Sequence, residues 1–197
     1  MIAILDYGAG NLRSVENALT VLGADYSLVR DAAELARASK IILPGVGHFG
    51  QMMRALDAMG VRGVLAEQIR AGVPFLGICL GLQALFQASE EAPEVEGLGV
   101  FDGVVRRFPS GVRVPHMGWN RLIVQNRSRL LAGLGERPYV YFAHSYYVPL
   151  TSEAAATCTY GVPYTAALEA GPVFGVQFHP EKSGAPGLRI LRNFVEL

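Results

Sequence analysis

"VPFLGICLGLQ", residues 73–83, is the stretch that decides the fold. An apolar run ends in a cysteine set between two glycines, and helix-forming residues follow. Such a run is short for a buried helix but suits a strand buried on both faces. Gly77 and Gly81 around Cys79 have the shape of a nucleophile elbow, in which strand, sharp turn and helix follow one another and the two backbones approach closely. The residue at the apex then sits at the carboxyl edge of a parallel sheet, where ligands bind in open α/β folds. A helix N-terminus there favours a thiolate, and the amide of Leu80 can hydrogen-bond a developing oxyanion. A lone cysteine is more often a packed core thiol; the two glycines turn the reading towards a nucleophile. Cys158, in the plain strand context "AATCTY", reads as core.

Working outward, strand and helix signals alternate through the first half. "IAIL" (2–5), "YSLV" (26–29), "KIILPG" (40–45) and "VPFLGI" (73–78) read as strands. Between them, Asn11 to Leu22 has apolar residues at helical spacing and a stop at Gly23, and Asp31 with Glu34 resembles a capping box opening a short helix. Residues 50–71 are helical, with a break near Gly60 and an end at Gly72, and "LGLQALFQ" (80–87) reads as the helix after the elbow. From about Gly97 to Phe178, short β-branched and aromatic runs are separated by Gly and Pro: "GVVRRF", "NRLIVQ", "PYVYFAHSYYV", "AAATCTY", "YTAALE" and "PVFGVQF". "GLRILRNFVEL" closes the chain as a helix. The expectation is one α/β domain over residues 1–197: an open, mixed, largely parallel sheet flanked by helices, with antiparallel strands added in the second half.

Composition narrows the function. The 197 residues carry 17 basic and 17 acidic side chains, so no charge excess points to nucleic acid or an anionic membrane. Near-zero net charge favours self-association or a partner's surface. No apolar run approaches the roughly 20 residues that span a bilayer, and the N-terminus lacks the basic start of a signal peptide. Two cysteines make no disulfide framework, and the four histidines show no metal-ligand spacing. These features predict a cytosolic protein with reduced thiols, no structural metal and no cofactor.

A thiol nucleophile needs a base, and the base needs an orienter. "GVQFHPEKS" supplies both: His179 and Glu181 follow a strand, with Pro180 ending it, and two residues apart in extended chain their side chains can converge. His48 lies near the site with nothing to orient it, while His116 and His144 read as structural. Gly45 and Gly47 in "LPGVGHFG" give a loop whose amides can supply a second oxyanion donor. "YGAGNLR" after the first strand is a poor dinucleotide fingerprint, since Arg13 stands at the third glycine position. It reads as a tight turn or a contact surface.

"PGVG", "GICLGLQ" and "GVQFHPEKS", in that order, resemble the class I (triad) glutamine amidotransferases over nearly the whole chain. The resemblance implies attack by Cys79 on the side-chain amide of glutamine, a γ-glutamyl thioester and release of ammonia. It implies a triad of Cys79, His179 and Glu181, and an oxyanion hole from the amides of Val46 and Leu80. Gln83, Gly47 and the Ser145–Tyr146 backbone fall at positions that contact glutamine, with Gly45 beside them. "MIAILDYGAGNLRSV", "PHMGWN" (115–120) and "YFAHSYYV" (141–148) look like the glutaminase subunits of imidazole glycerol phosphate synthase, a family of histidine biosynthesis. That narrower match implies docking on a separate (β/α)8-barrel synthase subunit, to form a heterodimer through which ammonia passes. It assigns Asn11, Met117, Trp119 and Asn120 to the synthase-facing side, and Lys182 to a possible ion pair across it. It further implies that the free chain is nearly inactive until the partner binds, with a peptide flip in the glycine loop completing the hole. Rival readings are a glutaminase of the anthranilate type, a free-standing hydrolase of γ-glutamyl peptides and an inactive scaffold.

Overall fold

The computed structural model describes residues 1–125 and 128–197. In chain order the elements are β1 (Ile2–Leu5), α1 (Leu12–Val21), β2 (Tyr26–Val29), α2 (Ala32–Leu35), β3 (Lys40–Gly45), α3 (Phe49–Ala58), α4 (Arg62–Arg70), β4 (Phe75–Cys79), α5 (Leu80–Gln83), β5 (Phe86–Ser89) and β6 (Phe101–Arg107). They continue with β7 (His116–Arg121), β8 (Ile123–Val124), β9 (Tyr139–His144), β10 (Tyr146–Tyr147), β11 (Ala154–Tyr160), β12 (Val162–Ala170), β13 (Val173–Val176), a 3-10 turn (Pro180–Lys182) and α6 (Gly184–Glu196).

Eight strands form the main sheet in the order β2-β1-β3-β4-β13-β12-β11-β8. From β2 to β13 every neighbouring pair is parallel, and β12, β11 and β8 extend the sheet antiparallel. This is the mixed, largely parallel sheet expected from the run of buried strands. Alternate residues of each strand feed two cores: Ile4, Ile42, Leu76 and Phe174 pack on one face with α1 and α6, and Ala3, Leu5, Ile41 and Phe75 pack on the other with α3 and α4. Burial on both faces is why these strands read as continuous apolar runs rather than alternating ones. Among the described residues no helix is long and apolar enough to cross a membrane.

The local signals largely hold. The Asp31 side chain accepts from the Glu34 amide at 2.8 Å, and Gly60, at φ +66°, separates α3 from α4. Three readings change. The helix after the elbow stops at Gln83 instead of running to residue 87, because Phe86–Ser89 pairs in parallel with β6 and buries Phe86. "PYVYFAHSYYV" is two strands that serve different sheets: β9 pairs with β7 and β10 with β6, and the chain changes partner at Ser145, whose carbonyl accepts from Phe108. "NRLIVQ" likewise divides between the end of β7 and β8, with Leu122 buried between them.

Candidate active site

The carboxyl ends of four adjacent strands, β1, β3, β4 and β13, open into one region. They deliver Tyr7 and Asn11, Val46 and Gly47, Cys79, and Gln177 to Glu181. Chain segments far apart in sequence converge because parallel neighbours all end at the same sheet edge.

Cys79 has φ +54° and ψ −106° and is the one non-glycine residue with positive φ among the described residues. That conformation costs on the order of 1–3 kcal/mol, and packing must hold it. The packing is close. A Cβ on Gly77 would overlap the carbonyl of Gly81, and one on Gly81 would overlap the carbonyl of Leu43. The helix that follows has only four residues, Leu80–Gln83.

His179 is 3 % exposed and its Nδ1 lies 2.9 Å from Glu181 Oε1. The carboxylate can only accept, so Nδ1 carries the proton and Nε2 is left for Cys79. Burial alone would lower the imidazole; hydrogen bonds to Cys79 and Glu181, with their negative charge, outweigh it and push His179 up to about 10. The two residues do not converge from extended chain, as their spacing suggested. They flank the start of the 3-10 turn that Pro180 opens. Ser183 holds that turn: its hydroxyl donates to His179 O at 2.6 Å and accepts from Tyr141 N at 3.0 Å. Asn11 Nδ2 donates to Glu181 Oε1 at 3.1 Å, and Ser14 in turn donates to Asn11 Oδ1. Asn11, predicted at a partner surface, therefore also fixes the carboxylate. Ser183 and Gln177 are residues that sequence reasoning missed. Gln177 Nε2 points at Cys79 Sγ, 3.7 Å away.

A cleft beside Cys79 is lined by Val46, Gly47, Leu80, Gln83, Ser145 and Tyr146, all six named from sequence. Gly45 lies behind it, where a Cβ would come within 2.6 Å of Leu80 Cβ. Gln83 is buried, and its Nε2 donates to Tyr146 O at 2.9 Å and to Gln177 Oε1 at 3.1 Å. Both amide protons are thus committed to the protein, and Gln83 shapes the Tyr146 side of the cleft. Glu91 also lines the cleft and is the one charged residue among the described lining residues. Its Oε2 accepts from Phe49 N at 2.8 Å. Nothing in its irregular surroundings, "EEAPEVEG", marked it in the sequence.

The remaining histidines have defined places. His48 caps α3, accepting from Gly50 N at 3.1 Å, so it is oriented after all. His116 and His144 are buried and linked at 3.2 Å. Burial lowers them to about 4 and about 3 respectively, and they stay neutral, as structural residues do. Cys158 is fully buried.

The predicted surface residues divide. Met117 and Trp119 are 65 % and 56 % exposed. They share one face of β7, Met117 at the cleft and Trp119 edge-on to Tyr141 at 6.1 Å. Asn120 faces the other side, where its amide donates to Thr159 O at 3.2 Å and approaches His116. Lys182 is exposed on the 3-10 turn.

Comparison with known proteins gives the family. The glutamine amidotransferase class-I family model matches residues 3–197. The imidazole glycerol phosphate synthase subunit HisH of Methanothermobacter thermautotrophicus is 52 % identical over 100 % of this chain and 98 % of its own. That of Deinococcus radiodurans is 50 % identical over 98 % of this chain and 92 % of its own. Among solved structures, one described as a glutamine amidotransferase superposes with a TM-score of 0.78 at 24 % identity, covering 99 % of this chain and 97 % of that one. PurLQS from Thermotoga maritima gives a TM-score of 0.76 at 23 % identity, with 99 % and 97 % covered. The chain belongs to the class-I glutamine amidotransferases and, within them, to the HisH family of imidazole glycerol phosphate synthase subunits.

Proposed function

We propose that this chain hydrolyses glutamine at Cys79 and supplies the ammonia to a synthase subunit docked beside the cleft. The observation that carries the reading is the buried imidazole of His179, bonded to the Glu181 carboxylate at 2.9 Å and near enough to Cys79 for that group to raise it.

The chemistry follows from that placement. His179 takes the thiol proton, and the thiolate adds to the amide carbon of glutamine. The carbonyl electron pair moves to oxygen, where the amides of Leu80 and, once turned to the cleft, Val46 stabilise it. His179 returns its proton to the departing nitrogen, the C–N bond breaks and ammonia leaves a γ-glutamyl thioester. Water then attacks the thioester, His179 takes its proton, and glutamate departs as the thiol re-forms. Gln177 and the strained elbow keep Sγ aimed at the cleft.

Glu91 is the natural partner for the α-ammonium of glutamine, being the one charge on the cleft wall among the described residues. Glu91→Gln is expected to raise KM for glutamine about 10- to 100-fold with kcat little changed, the pattern of a lost ground-state contact. Steady-state kinetics checks this; a fall in kcat at constant KM would place Glu91 elsewhere.

The pH profile follows from His179. Its raised value means that imidazolium persists well above neutrality, so the acid that protonates the leaving nitrogen is lost only on the alkaline side. Glu181→Gln removes one of the two negative charges that hold the proton, Cys79 supplying the other. The alkaline limb of kcat/KM should therefore move to lower pH, and the rate should fall by about 10²–10⁴. An unmoved limb with wild-type rate would remove Glu181 from the site.

The docking surface we propose is the exposed Met117–Trp119 face of β7, with Lys182 at its edge. An exposed tryptophan beside a methionine is the composition of an interface anchor, and this face adjoins the cleft. We take the partner to be a (β/α)8-barrel synthase, the complex to be a heterodimer and its place to be the cytosol. Co-purification with a barrel subunit, and glutaminase rates with and without it, test the assignment. A chorismate-binding partner, or full activity alone on γ-glutamyl peptides, would support one of the rivals.

A further inference from the structure

The Val46 backbone is already engaged. Its N–H donates to Tyr7 Oη at 3.3 Å, and the same hydroxyl lies 3.5 Å from its carbonyl, which accepts. Tyr7 is buried and does not line the cleft, whereas Val46 and Gly47 do. The Val46 N–H is therefore directed behind the cleft wall. An amide has one proton to give, and an oxyanion donor must point at the oxygen as charge develops there.

Two features make this contact more than packing. The loop can turn: the Val46 N–H belongs to the peptide that follows Gly45, which has no side chain to hinder rotation, and Gly47 on the other side, at φ +95°, has no neighbour within 4 Å of a Cβ position. Tyr7, in contrast, is firmly placed. Its neighbour Asp6 accepts from Gly8 N at 3.0 Å and pairs with Arg30 at 2.6 Å. The same turn carries Asn11, which holds Glu181. One turn after β1 thus restrains both the carboxylate and the oxyanion loop.

We propose that Tyr7 is a positioning residue for the oxyanion hole: its hydroxyl retains the Val46 amide away from the cleft, and loss of that bond completes the hole. The inference rests on Cys79 as nucleophile and Val46 as donor. Burial pushes the Tyr7 hydroxyl up to about 12, against the opposing effect of the Val46 bond. The hydroxyl stays protonated throughout an ordinary assay range, so the restraint does not titrate away.

The test is glutamine hydrolysis by the full chain alone, comparing wild type with Tyr7→Phe and Tyr7→Leu, which share only loss of the hydroxyl. Removing one oxyanion donor from an enzyme costs roughly 10²–10³ in kcat, so freeing one is expected to raise basal kcat about tenfold or more, with KM within about twofold. The γ-aldehyde analogue of glutamine gives a second readout. Its carbonyl carbon accepts the Cys79 thiolate, the carbonyl pair moves to oxygen, and the resulting hemithioacetal oxygen probes the hole directly. Its affinity should rise by a similar factor in both variants. Folded variants with unchanged or lower kcat, or a gain carried by KM alone, overturn the role of Tyr7. Hydrolysis that survives Cys79→Ala overturns the nucleophile assignment instead, so the two failures are distinguishable.

Discussion

Cys79→Ala is expected to lower glutamine hydrolysis by at least about 10⁴-fold, because the covalent route disappears and only binding and the oxyanion donors remain. Ammonia-dependent synthesis by the complex should survive, since it bypasses this site. Assaying both reactions on one preparation checks the prediction, and persistent hydrolysis would refute Cys79. The backbone adds a second expectation. Cys79 sits at φ +54°, which Ala tolerates no better than Cys. Cys79→Gly should be as inactive as Cys79→Ala but more stable than it by about 1 kcal/mol, through relief of that strain. Denaturant unfolding measures the difference. A glycine variant no more stable than the alanine variant would mean that the elbow stores no strain.

Gly81→Ala should be a severely damaging single-methyl change at the site. The added Cβ would overlap the backbone carbonyl of Leu43, which belongs to β3 and has no flexible end to move aside. Either the elbow or the central strand must shift. We expect a loss on the order of 3 kcal/mol or more, and glutaminase activity down by more than about 100-fold through displacement of Cys79 and Leu80. Gly63→Ala is the control. It lies within α4, its Cβ would meet nothing within 4 Å, and alanine is the better helix former by about 0.8–1 kcal/mol. It should therefore stabilise the protein without touching activity. Equal effects of the two substitutions would show that close approach at the elbow is not what requires glycine there.

Much of the site was legible because its logic is local. Gly77, Cys79 and Gly81 announce an elbow within five residues, and His179 and Glu181 are separated only by the proline that turns the chain. Each motif carries its own steric reason, so it can be read without knowing what lies opposite. The same is true of the buried parallel strands, whose apolar runs report burial on both faces. Where local reading failed, a distant partner was responsible. "LGLQALFQ" has helical propensity throughout, yet residues 86–89 gain more by pairing with β6. The unbroken aromatic run at 138–148 gives no sign that it must change sheets at Ser145.

The residues that hold the proposed catalytic groups in place were hidden for the same reason. Ser183, Gln177 and Glu91 are ordinary polar residues until the turn after β13 sets Ser183 on the His179 backbone and Gln177 against Cys79, and the loop after β5 brings Glu91 to the cleft. Asn11 reaches Glu181 across 170 positions of sequence, and Tyr7 reaches Val46 across 39. By itself, then, the sequence singled out the thiol, imidazole and carboxylate of the proposed mechanism, because each is a chemical type set in a short, sterically self-explanatory motif. Only the tertiary structure decided how those atoms are held, and which way the Val46 amide points. A hydrogen bond between segments far apart has no local signature: it exists only once parallel strands have brought their ends to one edge.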